Sequence, residues 1–195
     1  MIIGLDFETT GLDTDTLEAV EIAVILYDDD LNEVDSYEKV VYYPEDAWSD
    51  LNPVVYKMHL NSGLLHEATD GEFLPEVQLE VALLFQKWNE SYDLRRAPLM
   101  GNSVHFDRAI LRRLFRESHD LLSHRNIDAS SLTELAKRWE PEIIPTGHMS
   151  HRAIEDVRES ARVLLEYRKT WLKIPWSVRL QRWWSKIIGR GSKSS

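Results

Sequence analysis

Apolar runs alternate with short polar breaks over the first part of the chain. Three such runs cover residues 1–6, 20–27 and 33–43, and three consecutive aspartates, from Asp28 to Asp30, separate the second run from the third. Runs of this length that are bounded by turn-forming residues are typical of β-strands. The pattern therefore predicts three strands that follow one another along the chain.

The remainder of the chain shows the three- and four-residue spacing of helices. In residues 75–89 the apolar side chains share one helix face; they are Val77, Val81, Leu84, Phe85 and Trp88. Apolar spacing also predicts helices at 53–59, after Gly101, at 131–139 and from about 151 to 167, with short strands at 98–101 and ending at Ile127. Strands that are followed by helices alternating with further strands predict an α/β domain with a mixed sheet. Ser131 and Glu134 have the spacing of a capping box, which predicts a helix start at that point.

Charge divides the chain into an acidic body and a basic tail. The whole chain carries −10, but eight basic residues and no acidic one follow Glu166, so residues 1–167 carry −18. We therefore predict a domain at 1–168 and a basic, Trp-rich tail at 169–195. A body this acidic repels long polyanions, since affinity for nucleic acid normally comes from many Lys and Arg contacts with phosphates. Any role on nucleic acid must then depend on metal ions or on a compact site.

Composition narrows the classes of site and the compartment. The chain has no cysteine, which excludes disulfides and thiolate zinc sites. The first apolar run is too short for the apolar region of a signal peptide, and no later run is long enough to cross a membrane. These features predict an intracellular, cytoplasmic protein.

Two carboxylates, Asp6 and Glu8, lie two residues apart at the end of the first predicted strand. Because strand side chains alternate between faces, both point the same way, whereas Phe7 points into the core. Two adjacent carboxylates repel each other by a few kcal/mol near a protein surface unless a cation lies between them. The pair alone is equally typical of a solvated acidic turn.

Three further polar residues lie at the starts of predicted helices. Asp107 lies in the first turns of the helix after Gly101, and His151 and Asp156 lie at the start of the last helix. Taken singly, an acid in a first helical turn is a common placement, and a lone histidine is usually a surface group. His148, three residues before His151, is a rival candidate.

Considered together, these residues indicate a metal site. The four carboxylates contribute −4, which two Mg²⁺ or Mn²⁺ ions would neutralise, and oxygen ligands favour these hard cations over zinc. Two such ions can activate a water and stabilise the leaving oxygen of a phosphodiester. A nearby histidine, with an ordinary pKa near 6.5, is suited to accept the proton of that water.

The order of these motifs resembles the DEDD exonucleases in their histidine form. The three motifs are Asp-x-Glu, Asn-Ser-x-x-x-Phe-Asp and His-x-x-x-x-Asp, and the resemblance covers residues 1 to about 168. It implies an RNase H-like fold with a mixed five-stranded sheet flanked by helices, and a 3′–5′ exonuclease activity. It also implies the site residues: Asp6, Glu8, Asp107 and Asp156 as metal ligands and His151 as general base.

Further segments resemble oligoribonuclease, the branch of these exonucleases that degrades very short RNA to 5′-mononucleotides. They include DFETTGL at 6–12, GNS at 101–103, ELAKRW at 134–139 and HRA at 151–153. The resemblance implies that Leu12 wedges between two bases and that His59 lies near the substrate. It also implies that Ser103, Arg125 and Ser130 grip a 5′ phosphate, with Arg125 reaching across a homodimer.

The chain departs from that family at two aromatic positions. Val54 replaces a frequent Trp, and His124 replaces the usual Tyr before the phosphate-binding Arg125. Because base stacking contributes about 1–3 kcal/mol per base, both changes weaken the expected preference for short RNA. A 3′–5′ DNA exonuclease of the proofreading type is therefore the alternative function, and a nucleic-acid-binding or scaffold domain without catalysis is the non-enzyme alternative.

The tail supports three hypotheses. After Pro175, apolar residues follow helical spacing, with basic residues between them. They include Trp176, Leu180, Trp183 and Trp184. Such a helix packs on the body or on a partner subunit, lies on an anionic membrane surface, or contacts nucleic acid. The sequence leaves these alternatives open.

Overall fold

The structure is a computed structural model that describes residues 1–147 and 150–172. Its strands are β1 (Ile2–Thr9), β2 (Ala19–Tyr27), β3 (Glu33–Val40), β4 (Leu99–Gly101) and β5 (Asn126–Asp128). They form one sheet in the order β3-β2-β1-β4-β5. The pairs β3-β2 and β2-β1 are antiparallel, whereas β1-β4 and β4-β5 are parallel. The predicted mixed five-stranded α/β fold is confirmed.

Within residues 1–147 and 150–172, seven α-helices accompany the sheet. They are α1 (Pro53–Ser62), α2 (Leu64–Glu67), α3 (Leu74–Ser91), α4 (Val104–Leu114), α5 (Arg116–Asp120), α6 (Ala129–Trp139) and α7 (Ala153–Thr170). Short 3-10 turns lie at Glu45–Asp50, Ala68–Asp70, Leu94–Arg96 and Pro141–Ile143. Among the helices of the described ranges, none is long and apolar enough to span a bilayer.

The sheet is covered on both faces, and β2 shows this most clearly because every one of its residues is buried. Its alternate residues Ile22, Val24 and Leu26 join one core with α3 and α4. The intervening residues Ala23, Ile25 and Tyr27 join a second core with α7. An apolar run with no polar alternation is expected for a strand that has helices on both sides. A smaller core around Trp48, Leu64 and Leu65 supports α1 and α2.

Several predicted boundaries shift in the structure. Strand β1 continues to Thr9, so Glu8 lies within the strand, and β3 ends at Val40 instead of residue 43. Helix α6 begins at Ala129, because Asp128 is its N-cap and accepts a hydrogen bond from the Ser130 amide. The predicted capping box at Ser131 is therefore wrong, and Glu134 instead forms an ion pair with Lys137.

Helix α7 extends beyond the predicted end and carries the start of the tail. Trp171 follows it and contacts the rings of Trp139 and Tyr167, each with centroids 5.9 Å apart. This contact places one tail tryptophan on the body. Residues 173–195, including the predicted amphipathic helix after Pro175, lie outside the described residues, as does His148.

The close approach of α7 to β1 generates a stability prediction at Gly4. A Cβ at this position would lie 2.5 Å from Cγ1 of Val157 and 2.9 Å from Cε2 of Tyr27. Gly4→Ala must push α7 away from the strand, and overpacking of this kind typically costs about 1–3 kcal/mol. We expect a loss of that size in the free energy of unfolding by urea. Gly11→Ala is the matched control, because a Cβ there meets nothing within 4 Å; equal losses in both variants would contradict the packing argument.

Candidate active site

The first motif lies on β1, near the middle of the sheet. Asp6 and Glu8 point to the same side, while Phe7 points to the other and packs its ring 5.6 Å from that of Phe115. Glu8 is only 6% exposed. The strand therefore holds the Glu8 carboxylate away from solvent. Asp6 and Glu8 share one face because strand side chains alternate between faces.

The second motif reaches β1 through a backbone hydrogen bond. The amide of Phe7, between Asp6 and Glu8, donates to Oδ1 of Asp107 at 3.1 Å. Asp107 is buried in the first turn of α4, which begins directly after β4 and Ser103. Because β4 is the parallel neighbour of β1, the topology brings Asp107 to the carboxylates of the first motif.

The third motif precedes and opens α7. His151 is exposed and has a left-handed backbone with φ 57°, a conformation that typically costs a non-glycine residue about 1–3 kcal/mol. Helix α7 therefore starts at Ala153, two residues later than predicted, and Asp156 lies in its first turn. The carboxylate of Asp156 accepts hydrogen bonds from the amides of Ser150, at 2.7 Å, and His151, at 3.2 Å.

The three motifs converge on one cluster. Glu8, His151 and Asp156 each offer a ligand atom, and these atoms lie within 4.8 Å of one another. Asp6 and Asp107 are close enough to this group for their charges to interact with it. The structure thus brings together the four predicted metal ligands and the predicted general base, and it places His151 at the exposed side of the cluster.

Burial and mutual repulsion raise the pKa values of these acids. Desolvation, followed by the charges of Asp107 and Glu8, raises the pKa of Asp6 well above its usual range. Desolvation and the charge of Asp156 raise the pKa of Glu8 to about 8. Burial also raises the pKa of Asp107 to about 7, against the opposing effect of the Phe7 hydrogen bond. A divalent cation would remove this penalty, since an adjacent positive charge favours the ionised carboxylate, so the donor set fits a hard metal ion.

His59 lies beside this cluster but not at the surface. Its side chain is fully buried, with Nε2 2.9 Å from the carbonyl oxygen of Thr9 and Nδ1 3.9 Å from Oε2 of Glu8. Burial lowers its pKa, so the ring is held neutral. Through the Thr9 carbonyl, His59 contacts β1, the strand that carries Asp6 and Glu8.

The two predicted phosphate-binding serines meet at a residue to which the sequence assigned no role, Asp128. Its Oδ1 accepts hydrogen bonds from the Ser103 amide at 3.1 Å, the Ser130 amide at 2.9 Å and the Ser130 hydroxyl at 2.7 Å. Ser103 also has a left-handed backbone, with φ 59°. Asp128 thus joins the loop after β4 to the start of α6. The signal was available in its position before a helix, where Asp is a favoured cap.

The remaining predicted substrate residues lie at the surface. Leu12 is 84% exposed, and both His124 and Arg125 are exposed just before β5. Within residues 1–147 and 150–172, the Arg125 guanidinium has no hydrogen-bond or ion-pair partner, while its backbone oxygen accepts from Arg108. The single chain therefore leaves these three side chains available for a ligand or a partner.

Sequence reasoning also missed Glu21. It is an acid in the otherwise apolar strand β2, is 1% exposed, and pairs with Arg152. A charged residue inside a buried apolar run is a signal in itself, because such residues are almost never fully buried unless they are paired.

Comparisons with known proteins identify the family of this chain. The profile of the family described as Exonuclease matches residues 3–164. The oligoribonuclease of Leifsonia xyli subsp. xyli is 38% identical over 172 residues, which are 86% of this chain and 82% of that protein. The oligoribonuclease of Acinetobacter baylyi is 35% identical, over 86% of this chain and 92% of that protein.

Solved structures of exonuclease I share the fold. A complex of Escherichia coli exonuclease I with an oligonucleotide matches with a TM-score of 0.66 at 16% identity, over 87% of this chain. Exonuclease I from Methylocaldum szegediense matches with a TM-score of 0.63 at 19% identity, over 88% of this chain. In both cases this chain spans 41% of the length of the other.

The raised pKa values predict how stability depends on pH. Glu8 and Asp107 keep their protons in the folded chain at pH values where the unfolded chain has lost them, so unfolding releases protons. The free energy of unfolding in EDTA should therefore fall as pH rises from about 4.5 to about 8. Thermal melts should show this fall, and Mg²⁺ should increasingly offset it at higher pH. Glu8→Gln should flatten the EDTA curve; parallel curves with and without Mg²⁺ would contradict the metal-site assignment.

Proposed function

Because this chain belongs to the exonuclease family and is related to oligoribonucleases over most of its length, we propose a specific reaction for its 3′–5′ exonuclease activity. The substrates are short single-stranded oligoribonucleotides, with dinucleotides preferred. Water hydrolyses the 3′-terminal phosphodiester and releases 5′-mononucleotides. The observation that carries this proposal is the convergence of Glu8, His151 and Asp156 within 4.8 Å, beside Asp6 and Asp107.

Asp6, Glu8, Asp107 and Asp156 would hold two divalent cations, Mg²⁺ or Mn²⁺. When bound, such ions supply Lewis-acid activation of the phosphodiester and stabilise the leaving oxygen. The imidazole of His151 would accept the proton of the attacking water, because His151 lies at the exposed side of the cluster, beside Glu8 and Asp156. The buried carboxylates of Glu8, Asp107 and Asp156 would hold the ions away from bulk water.

A groove beside His151 supports binding of a nucleotide. It lies between α1 and the segment Ser150–His151, has a volume of about 680 Å³, and is lined by Val54 and Lys57 among others. Val54 is 75% exposed, so this wall offers an aliphatic surface to a base and an ammonium group to a phosphate. The groove is open to solvent, so the 3′ end of a single strand can enter it.

The other end of a short substrate would meet the residues around Asp128. Ser103 and Ser130 are held together there, and the guanidinium of Arg125, nearby in the chain, has no hydrogen-bond or ion-pair partner among the described residues. Hydroxyl and guanidinium donors suit a terminal 5′ phosphate. We propose that Arg125 acts in a homodimer, and that capping of the 5′ end, together with the −18 charge of residues 1–167, disfavours long chains.

Variants of the cluster separate metal binding from proton transfer. Asp107→Ala or Asp156→Ala should abolish turnover of a diribonucleotide and weaken Mn²⁺ binding while the fold survives, because each removes a ligand and also relieves repulsion. His151→Ala should keep Mn²⁺ binding and lose about 10²–10⁴-fold in kcat, the typical contribution of a general base. Calorimetry with Mn²⁺ and steady-state kinetics measure both. If His148→Ala is inactive and His151→Ala is active, the general base is His148 and not His151.

Length preference tests the substrate class. With RNA and DNA substrates from two to twenty nucleotides, we expect fastest cleavage of 5′-phosphorylated diribonucleotides and a marked loss when that phosphate is removed. Arg125→Ala should erase most of the difference, because a hydrogen bond to a charged group typically contributes about 1.5–3 kcal/mol. His124→Tyr should sharpen the preference by adding a stacking surface. Equal rates on two-mers and twenty-mers would favour the DNA-exonuclease alternative.

A further inference from the structure

Glu21 is a further buried acid near the candidate metal site, and its oxygens accept hydrogen bonds from the start of α7. Oε1 accepts from Nε of Arg152 at 3.0 Å and from Nη2 at 2.8 Å, and Oε2 accepts from the Ala153 amide at 2.8 Å. The side chain is 2% exposed. With Oε1 paired to the Arg152 guanidinium and Oε2 bound to the Ala153 amide, Glu21 anchors the start of α7.

The position of this anchor relates it directly to the metal ligands. Glu21 is paired with Glu8 across the antiparallel β1-β2 ladder, and residues that face each other in such a ladder project to the same side of the sheet. The segment that begins α7 is therefore fastened to β2 directly opposite Glu8. The first and third motifs are therefore joined through the Glu8–Glu21 pair of the ladder.

Arg152 also reaches a third element. Its Nη1 donates to Oε1 of Glu67 at 2.9 Å and its Nη2 to Oε2 of Glu67 at 2.8 Å. Glu67 is the last residue of α2, which follows α1 after Gly63. Since α1 forms one wall of the groove beside His151, the Arg152 guanidinium joins β2, the start of α7 and the helical unit that borders the groove.

The residue between these anchors, His151, has a left-handed backbone. His151 has φ 57°, and a strained conformation persists only when neighbouring contacts determine it. On its N-terminal side Asp156 accepts the Ser150 and His151 amides. On its C-terminal side Arg152 and the Ala153 amide are bound to Glu21. Both flanks of His151 are thus fixed, one to a metal ligand and the other to the strand opposite Glu8.

We propose that Arg152, held between Glu21 and Glu67, is a positioning residue that sets His151 and Asp156 against Glu8 and against the groove wall. The inference rests on the proposed function for its kinetic consequence. A planar, permanently charged guanidinium can bind two carboxylates in fixed geometry, which a lysine ammonium cannot reproduce. Arg152→Lys should therefore retain part of the effect, and Arg152→Ala none.

Arg158 provides a matched control on the same helix. It too bridges α7 to a strand, with Nε 3.0 Å from Oε1 of Glu33 on β3, and it pairs with Glu155 at 2.8 Å. These contacts lie away from His151 and the groove. Arg158→Ala thus removes a comparable two-carboxylate bridge without touching the anchors of the third motif.

The experiment compares the full-length parent chain with Arg152→Ala, Arg152→Lys, Glu67→Gln and Arg158→Ala. On a 5′-phosphorylated diribonucleotide, Arg152→Ala should lower kcat by about 10- to 100-fold and weaken Mn²⁺ affinity within the same range, as loss of a group that orients metal ligands typically does. KM should change little. Hydrogen exchange without metal should be faster at the Ser150 and His151 amides. Arg152→Lys should be intermediate, Glu67→Gln milder, and Arg158→Ala unchanged in all three measurements.

Parental kcat and parental Mn²⁺ affinity in Arg152→Ala would overturn the proposal, as would equal losses in Arg158→Ala. If Arg152→Ala does not fold, Arg152→Lys and Glu67→Gln decide, and parental values in both would overturn it. A parent chain that cleaves no diribonucleotide would refute the proposed function instead. In that case Mn²⁺ affinity and amide exchange, which need no turnover, still test the positioning role.

Discussion

The structure depends on holding several carboxylates together in a place where water cannot screen them. Glu8, Asp107 and Asp156 are nearly inaccessible to solvent, and burial of an unpaired charge is among the costliest events in folding. Backbone amides offset part of this cost, from Phe7 to Asp107 and from Ser150 and His151 to Asp156. The remaining repulsion would be relieved by a divalent cation in the proposed site, since an adjacent positive charge favours the ionised carboxylates that the fold brings together.

The sheet and its two cores supply the rigidity that this arrangement needs. Strand β2 is buried throughout, with α3 and α4 on one side and α7 on the other. Because α7 crosses β1 at Gly4, where no side chain intervenes, the helix that carries Asp156 lies close against the strand that carries Glu8. Packing density in such a core leaves little room for adjustment, so the positions of the ligands follow from the positions of the elements.

Charge gives the molecule two kinds of contact with a polyanion. The acidic body repels phosphates in general. Under the proposed function, two compact sites would attract them: the carboxylate cluster through bound cations, and the Asp128 region through the Arg125 guanidinium beside Ser103 and Ser130. Asp128 is itself negative, but its Oδ1 accepts hydrogen bonds from Ser103 and Ser130 and so joins two loops. On this proposal, a short substrate would occupy both compact sites and expose few phosphates to the repulsive surface, whereas a longer one would not.

The sequence by itself determined the features that depend on local spacing. The apolar runs located the strands, the two-residue interval placed Asp6 and Glu8 on one side of β1, and the three motifs identified the residues that meet in the cluster. Tertiary structure decided what depends on distant partners: the pairing of Glu21 with Arg152, 131 positions apart in the chain, the meeting of Ser103 with Ser130 at Asp128, and the complete burial of His59. It also decided where α7 begins, since the left-handed turn at His151 is maintained by contacts with β2 and Asp156. Periodicity records which face of an element is buried, but a hydrogen bond between remote residues leaves no periodic trace, so only the folded chain reveals it.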